Sequence, residues 1–341
     1  MAIFFLITLG IVLMGCAYQL LGTVRDARNH PPPGKMIRAG ELRLHLNASG
    51  SRSPVVLLDS GIAASSLSWV GLQAALSRET TVCSYDRAGF GWSNSSRTSR
   101  TPHELARELH SMLSTAGVPP PFVLVGHSFG GLVVRAFATQ FPNETAGLVL
   151  VDALSHREWL NPTEQQKRML QGGVLFSRIG VVLASLGVVR LCLNLLAKGS
   201  RKAPQAVLKG FGKGATALVT RIMGEVTKLP QEVLPAIRAH WSRPKSFATM
   251  ARYLAALPES SAEFAQSRPL PQVPLIVLSA YCTGEQLAAQ RELASSCGQG
   301  IHRMISDCGH WLHLDRPDAV VEAVQEVLAR VRTADPSLRS G

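Results

Sequence analysis

From Pro54 onward the chain alternates short, solidly apolar runs with longer stretches whose apolar residues recur at helical spacing. Solid runs bounded by turn residues are how strands buried on both faces read, and the stretches between them read as covering helices. The runs predict strands at Val55–Leu58, Thr81–Tyr85, Phe122–Val125, Leu148–Val151, Leu275–Ser279 and Ile301–Ser306. The helical spacing predicts Ser66–Leu76, Pro102–Ala116, Phe129–Gln140 and Pro317–Arg332. Ahead of them, Met36–Ala39 and Glu41–Leu46 read as a hairpin, with Leu42, Leu44 and Leu46 alternating as on a half-buried strand. The expected class is α/β, with a mostly parallel central sheet and flanking helices.

Two segments depart from that alternation. Met1 to Gly22 contains no charged side chain, and at about 1.5 Å per residue it matches the roughly 30 Å hydrocarbon core of a bilayer. It lacks the basic residues that precede the apolar run of a cleaved signal peptide, so a retained transmembrane helix is expected. Leu13-Met14-Gly15-Cys16 offers the alternative of lipid attachment at Cys16. Arg25, Arg28, Lys35 and Arg38 follow the apolar run, and the positive-inside tendency sets the domain on the cytoplasmic side unless an export signal overrides it. Pro31-Pro32-Pro33-Gly34 cannot continue a helix and reads as a stiff linker.

The second segment, 155–265, has helical stretches broken by Gly and Pro but no strand-like run. An insertion after a sheet strand is expected to lie over the ligand crevice as a helical lid. The predicted organisation is therefore an anchor over 1–24, a linker over 25–34, a core made of 35–154 and 266–341, and the lid.

Charge sharpens this picture. The chain carries a net +12 with 46% hydrophobic and only 17% charged residues, which is not a nucleic-acid-binding composition. The lid holds 16 Lys and Arg against 6 Asp and Glu, so most of the basic excess lies there. Its stretch Val174 to Ala197 is largely apolar, with Arg178 and Arg190 its only charged residues. A basic, apolar lid suits contact with an anionic membrane surface, and it equally suits a solvated charged face whose apolar side packs on the core. The six cysteines form no CxxC pair and no metal-ligand spacing with histidine, so no metal is expected. Cys282 and Cys297 suit either a disulfide or two free thiols.

The chemistry centres on Gly126-His127-Ser128-Phe129-Gly130-Gly131, which joins the predicted strand Phe122–Val125 to the helix that follows. Strand, sharp turn and helix are what a nucleophile elbow requires, with small residues where strand and helix approach closely. Ser128 is the expected nucleophile. A histidine on the loop after the last strand suits the general base; His310 in Asp307-Cys308-Gly309-His310-Trp311 takes that role, with His313 a nearby rival and His127 a packing or oxyanion-region residue. Asp152, at the end of Leu148–Val151, is the favoured acid, and Glu285 in the loop after Leu275–Ser279 is the alternative. Asp307 and Asp315 are expected to be loop or capping groups. The oxyanion requires two backbone N–H donors, expected from Phe129 and from Ile62, which follows Asp59-Ser60-Gly61.

With these residues in place, 35–332 resembles the α/β-hydrolase superfamily, specifically its membrane-anchored serine hydrolases of esterase-like or lipase-like character. The likeness rests on GHSFGG together with Asp59-Ser60-Gly61 and Ser65 to Trp69, Tyr85-Asp86-Arg87-Ala88-Gly89-Phe90-Gly91-Trp92-Ser93, and Gly309-His310-Trp311. It implies a serine hydrolase acting on lipophilic carboxylic esters through an acyl-enzyme, with no cofactor. The same triad serves acyltransferases and carbon–carbon bond hydrolases, and the same fold serves as a ligand-binding module. Ser60-Gly61 stands where many members have His-Gly, and no Asp follows the penultimate strand; haloalkane dehalogenases are similar in placing the acid where Asp152 lies. Serine in the elbow disfavours dehalogenase and epoxide hydrolase chemistry, which needs a carboxylate nucleophile.

Overall fold

The computed structural model describes residues 1–200, 202–210 and 223–339; the part of the predicted lid at 211–222 lies outside them. Two compact units emerge. One comprises Met1–Pro32 and Gln166–Ala255, and the other Pro33–Gln165 and Ala256–Gly341.

The larger unit is built on one sheet of eight strands: β1 (Lys35–Ala39), β2 (Leu42–Ser49), β3 (Val55–Asp59), β4 (Val82–Tyr85), β5 (Phe122–His127), β6 (Thr145–Val151), β7 (Leu275–Ala280) and β8 (Gly300–Ile305). Their order is β1-β2-β4-β3-β5-β6-β7-β8, antiparallel only where β2 meets β1 and β4. The hairpin and all six parallel strands occur where the apolar runs predict them, within a few residues at each end. Every residue of β3, β4 and β5 is buried, which is why these segments read as solid runs rather than alternating ones.

Helices of this unit cover both faces of the sheet. Numbered along the whole chain, the described helices are α1 (Ala2–Asn29), α2 (Val70–Leu76), α3 (Pro102–Ala116), α4 (Gly130–Gln140), α5 (Arg157–Leu160), α6 (Glu164–Ser185), α7 (Val188–Ala197), α8 (Lys202–Lys209), α9 (Leu234–Trp241), α10 (Pro244–Ala255), α11 (Leu257–Ala265), α12 (Gly284–Ser295), α13 (Leu312–Asp315) and α14 (Pro317–Ala334). On one face, Val320, Val324, Val327 and Leu328 of α14 and Leu72 and Leu76 of α2 pack with Val56, Val123, Val149 and Ile276. Each such fully buried side chain contributes about 1.5–3 kcal/mol relative to exposure. Helix α3 shows why its ends are legible: Pro102 sits in the first turn, and Gly117 takes the left-handed conformation (φ 67°) that closes it. Helices α5 and α11 belong to this unit although they fall within the span expected of the lid.

The smaller unit contains α1 and α6 to α10. Helix α1 is long and apolar enough to cross a membrane. It runs on to Asn29, through residues expected in the linker, because Asp26 pairs with Arg190 at 2.7 Å; Pro31 then ends it. Helices α6 and α7 meet at 85° across Leu186 and Gly187.

Candidate active site

Strand register fixes where the chemistry lies. Asp59 at the end of β3 pairs with Gly126 of β5, and His127 pairs with Val151 of β6. The loops carrying Gly61, Ser128 and Asp152 therefore leave one edge of the sheet side by side. β3 lies between β4 and β5 although it precedes both in sequence, so the connection reverses direction here, and such a reversal opens a crevice beyond the strand ends.

The turn at Ser128 is tight. Ser128 has φ 54°, a left-handed conformation that costs an L-residue roughly 1–2 kcal/mol and lifts its hydroxyl clear of strand and helix. A methyl at Gly126 would come within 2.6 Å of the Gly130 carbonyl oxygen, and one at Gly130 would overlap the Asp59 carbonyl. The glycines of the motif are thus a packing requirement. Gly130→Ala is expected to destabilise the fold by about 1–3 kcal/mol, because the overlap is with backbone that cannot turn away. Gly172→Ala, on a helical surface with nothing within 4 Å, should be neutral or stabilising by up to about 1 kcal/mol. Denaturant unfolding of the two variants checks the contrast.

Three side chains meet above this turn. His310 Nε2 lies 2.9 Å from Ser128 Oγ, and His310 Nδ1 lies 2.6 Å from Asp152 Oδ2. The second oxygen of Asp152 accepts the Ala280 N–H at 3.0 Å, which orients the carboxylate. With Nδ1–H donated to Asp152, Nε2 carries the lone pair that faces the hydroxyl. Glu285 lies exposed in the first turn of α12. Asp315 accepts the Gly309 N–H at 2.8 Å and so braces the loop of His310.

Of the expected oxyanion donors, Phe129 directly follows Ser128 and Ile62 directly follows Gly61 on the loop after β3. Phe129 is buried at the start of α4, and Ile62 is half-buried on the loop after β3. A methyl at Gly61 would lie 3.3 Å from Ser128 Cβ, so this loop runs directly beside the nucleophile. Its shape is held from below: Arg87 donates to the Gly61 carbonyl and, at 3.1 Å, to Asp59, which also accepts the Tyr85 hydroxyl at 2.7 Å. Asp86 accepts the N–H groups of Ser66 and Trp92 at 2.8 and 3.0 Å and contacts His45 Nδ1 at 2.9 Å. The block Tyr85 to Ser93 is therefore scaffold for the loop, a role that its sequence alone does not reveal.

Behind His310 lies a cluster of buried rings tilted against one another. His127 donates from Nε2 to the His310 carbonyl at 2.7 Å, and its ring is 4.4 Å from that of His313, which in turn is 4.5 Å from Trp69. His313 is thus placed in the core rather than at the hydroxyl. Burial holds His127 well below its ordinary range and pushes His313 down to about 3. Burial also raises Asp59 to about 6 against the pull of Arg87 and Tyr85. Both histidines are held neutral in the fold and take up protons on unfolding below pH 6.5, so each lowers stability as the pH falls through that range. Asp59 acts oppositely between its ordinary 3.8 and about 6, since there it is the folded form that binds the extra proton. The two histidines make stability fall as the pH drops below 6.5, and Asp59 offsets part of that fall until the pH nears 3.8. His313→Leu should make that fall shallower in a pH series of denaturant unfolding, and an unchanged slope would contradict its buried, neutral state.

Cys282 and Cys297 are free thiols, Cys297 buried and donating to the Val273 carbonyl at 2.8 Å. No group of His, Cys, Asp and Glu suited to a metal ion occurs among the described residues.

A model of the alpha/beta hydrolase family matches residues 55–323. The Bacillus subtilis protein YqjL is 34% identical over 131 residues, 36% of this chain and 52% of its own. The chain spans about half or less of the length of the curated relatives it matches. Among solved structures, a thermophilic esterase from Thermogutta terrifontis superposes with TM-score 0.60 at 21% identity, covering 85% of this chain and 94% of that one. The epoxide hydrolase CorEH superposes with TM-score 0.63 at 19% identity, covering 87% and 98%. At such identities the structural likeness is one of fold.

Proposed function

The chain belongs to the alpha/beta hydrolase family, and we propose that within it the protein is a serine hydrolase of lipophilic carboxylic esters, held at a membrane by α1. The observation that carries this reading is the hydrogen-bonded series Ser128, His310, Asp152. Ser128 Oγ attacks the ester carbonyl while its proton passes to His310 Nε2. Asp152 stabilises the imidazolium, and the N–H groups of Phe129 and Ile62 hold the oxyanion. The alcohol leaves with the proton from His310, and a water, deprotonated by the same imidazole, releases the acid and restores Ser128. Serine in the elbow sets this chain apart from the carboxylate chemistry of epoxide hydrolases.

A panel of p-nitrophenyl esters, monoacylglycerols and styrene oxide, given to the full-length protein in detergent, tests the class. We expect turnover of medium- and long-chain esters above that of the acetate, and none of the epoxide. Binding without turnover across the ester panel, or turnover of the epoxide alone, would overturn the proposal. Transfer to an added alcohol in preference to water would assign the acyl-enzyme to an acyltransferase instead.

A further inference from the structure

The smaller unit turns its large apolar side chains outward. Along α6, Ser177 and Ala184 are fully buried, and a methyl at Gly180 would overlap the Phe247 ring. The other side of that helix exposes Leu175 by 59%, Ile179 by 36% and Val182 by 57%, at the spacing of one helical stripe. A helix facing water buries the large residues and exposes the small and polar ones. The reverse arrangement is that of a helix facing lipid, where small residues allow close packing inside. Leu191 of α7, beyond the bend, is also exposed by 50%.

Helix α1 follows the same rule and is joined to this surface. Its exposed apolar residues include Phe4, Ile7, Ile11 and Leu21, and the one fully buried residue is Gln19. The face bearing Gly15, Tyr18, Gln19, Gly22 and Asp26 packs on α7 and on the bend before it. Gly15 abuts the Leu186 backbone so closely that a methyl there would lie 2.5 Å from the Leu186 carbonyl oxygen. The Tyr18 hydroxyl accepts from Asn194 at 2.9 Å. Arg190, its side chain 6% exposed, donates to Gln19 at 2.9 Å and to Asp26 at 2.7 Å, and Gln19 donates to the Ser242 carbonyl at 3.0 Å. A charge beside lipid is tolerated where it faces the inside of a helix bundle and is paired, as Arg190 does. Arg178 lies exposed at the edge of the stripe, where a long side chain reaches headgroup phosphates.

Gly15 precedes Arg25, the first charged side chain, by about 15 Å of helix. The bend between α6 and α7 thus lies beside a level of α1 that carries no charged side chain. We propose that this bend and the flanking stripe are embedded in the lipid bilayer, in the leaflet of the C-terminal half of α1, as a re-entrant element clasped to α1 through Arg190. The inference rests on the membrane reading of α1, which it extends to a segment expected to cover the core.

The test uses the full-length protein in vesicles of phosphatidylcholine and phosphatidylglycerol in equal amounts, with a trace of ether-linked phosphatidylcholine carrying a diazirine at the end of one chain. After irradiation, adducts are mapped by mass spectrometry. Adducts within both 3–21 and 175–191 are expected. Adducts confined to 3–21 would overturn the inference and leave the anchor standing, whereas none in 3–21 would overturn the anchor and the inference with it. The double variant Ile179→Glu, Val182→Glu should lose the adducts at 175–191 while keeping those at 3–21 and its turnover of p-nitrophenyl butyrate. An undiminished yield at 175–191 in that variant would also overturn the proposal.

Discussion

Replacing Ser128 with alanine is expected to lower p-nitrophenyl ester turnover by about 10⁴-fold or more, leaving only what oxyanion donors and binding supply without a nucleophile. The substitution removes one oxygen from a residue whose backbone sits at φ 54°. Alanine keeps the Cβ and adds no volume, so the melting temperature should stay close to that of the unaltered protein. An unchanged fold with lost turnover separates a chemical role for the hydroxyl from a structural one. His310→Ala should cost about as much, because residues that act as one unit are not additive, and the double variant should be hardly slower than either single one.

Asp152→Asn should lower kcat by about 10⁴-fold, while Glu285→Gln should leave it within about twofold. Asp152 stands at φ 42°, a conformation that asparagine tolerates well, so the backbone need not move. The asparagine oxygen can keep the Ala280 N–H that Asp152 accepts at 3.0 Å. Its amide then faces His310 Nδ1 as a donor. The imidazole must take the tautomer with its proton on Nε2, and the lone pair that faces Ser128 is lost. Glu285 opens α12 and is exposed, so its neutralisation touches nothing at the site. A loss in Glu285→Gln with Asp152→Asn active would reverse the two assignments.

How legible these features are depends on how local their causes are. The elbow reads clearly because its strand, turn and helix lie within twenty residues, and the glycines that allow the close approach are part of the motif itself. The ends of α3 read equally well, since Pro102 and Gly117 mark them directly. Asp152 is legible as a strand-end carboxylate and is favoured over Glu285 on that ground, whereas the outward direction of Glu285 appears only in three dimensions. Helix α12 begins at Gly284 and points Glu285 to solvent, and its sequence has no strong apolar periodicity to announce it.

Contacts between distant parts of the chain are the least legible. Nothing near His313 marks it as a buried ring between His127 and Trp69. The length of α1 is hidden for the same reason, as Asp26 is held by a residue 164 positions away. Periodicity in Val174 to Ala197 shows that a helix has two unlike faces without saying which is inside. Its large apolar residues Leu175, Ile179 and Val182 are outward because Ser177, Gly180 and Ala184 take the interior.

The most direct measurement of the central claim is peptide mapping of the full-length protein after reaction with a fluorophosphonate. A serine whose hydroxyl shares its proton with an imidazole 2.9 Å away attacks phosphorus as it attacks a carbonyl, and an ordinary surface serine does not. The account predicts one adduct per chain, on Ser128, with ester turnover falling in proportion to its occupancy and labelling lost in His310→Ala. An adduct on another residue, or full turnover in a protein completely labelled at Ser128, would contradict it.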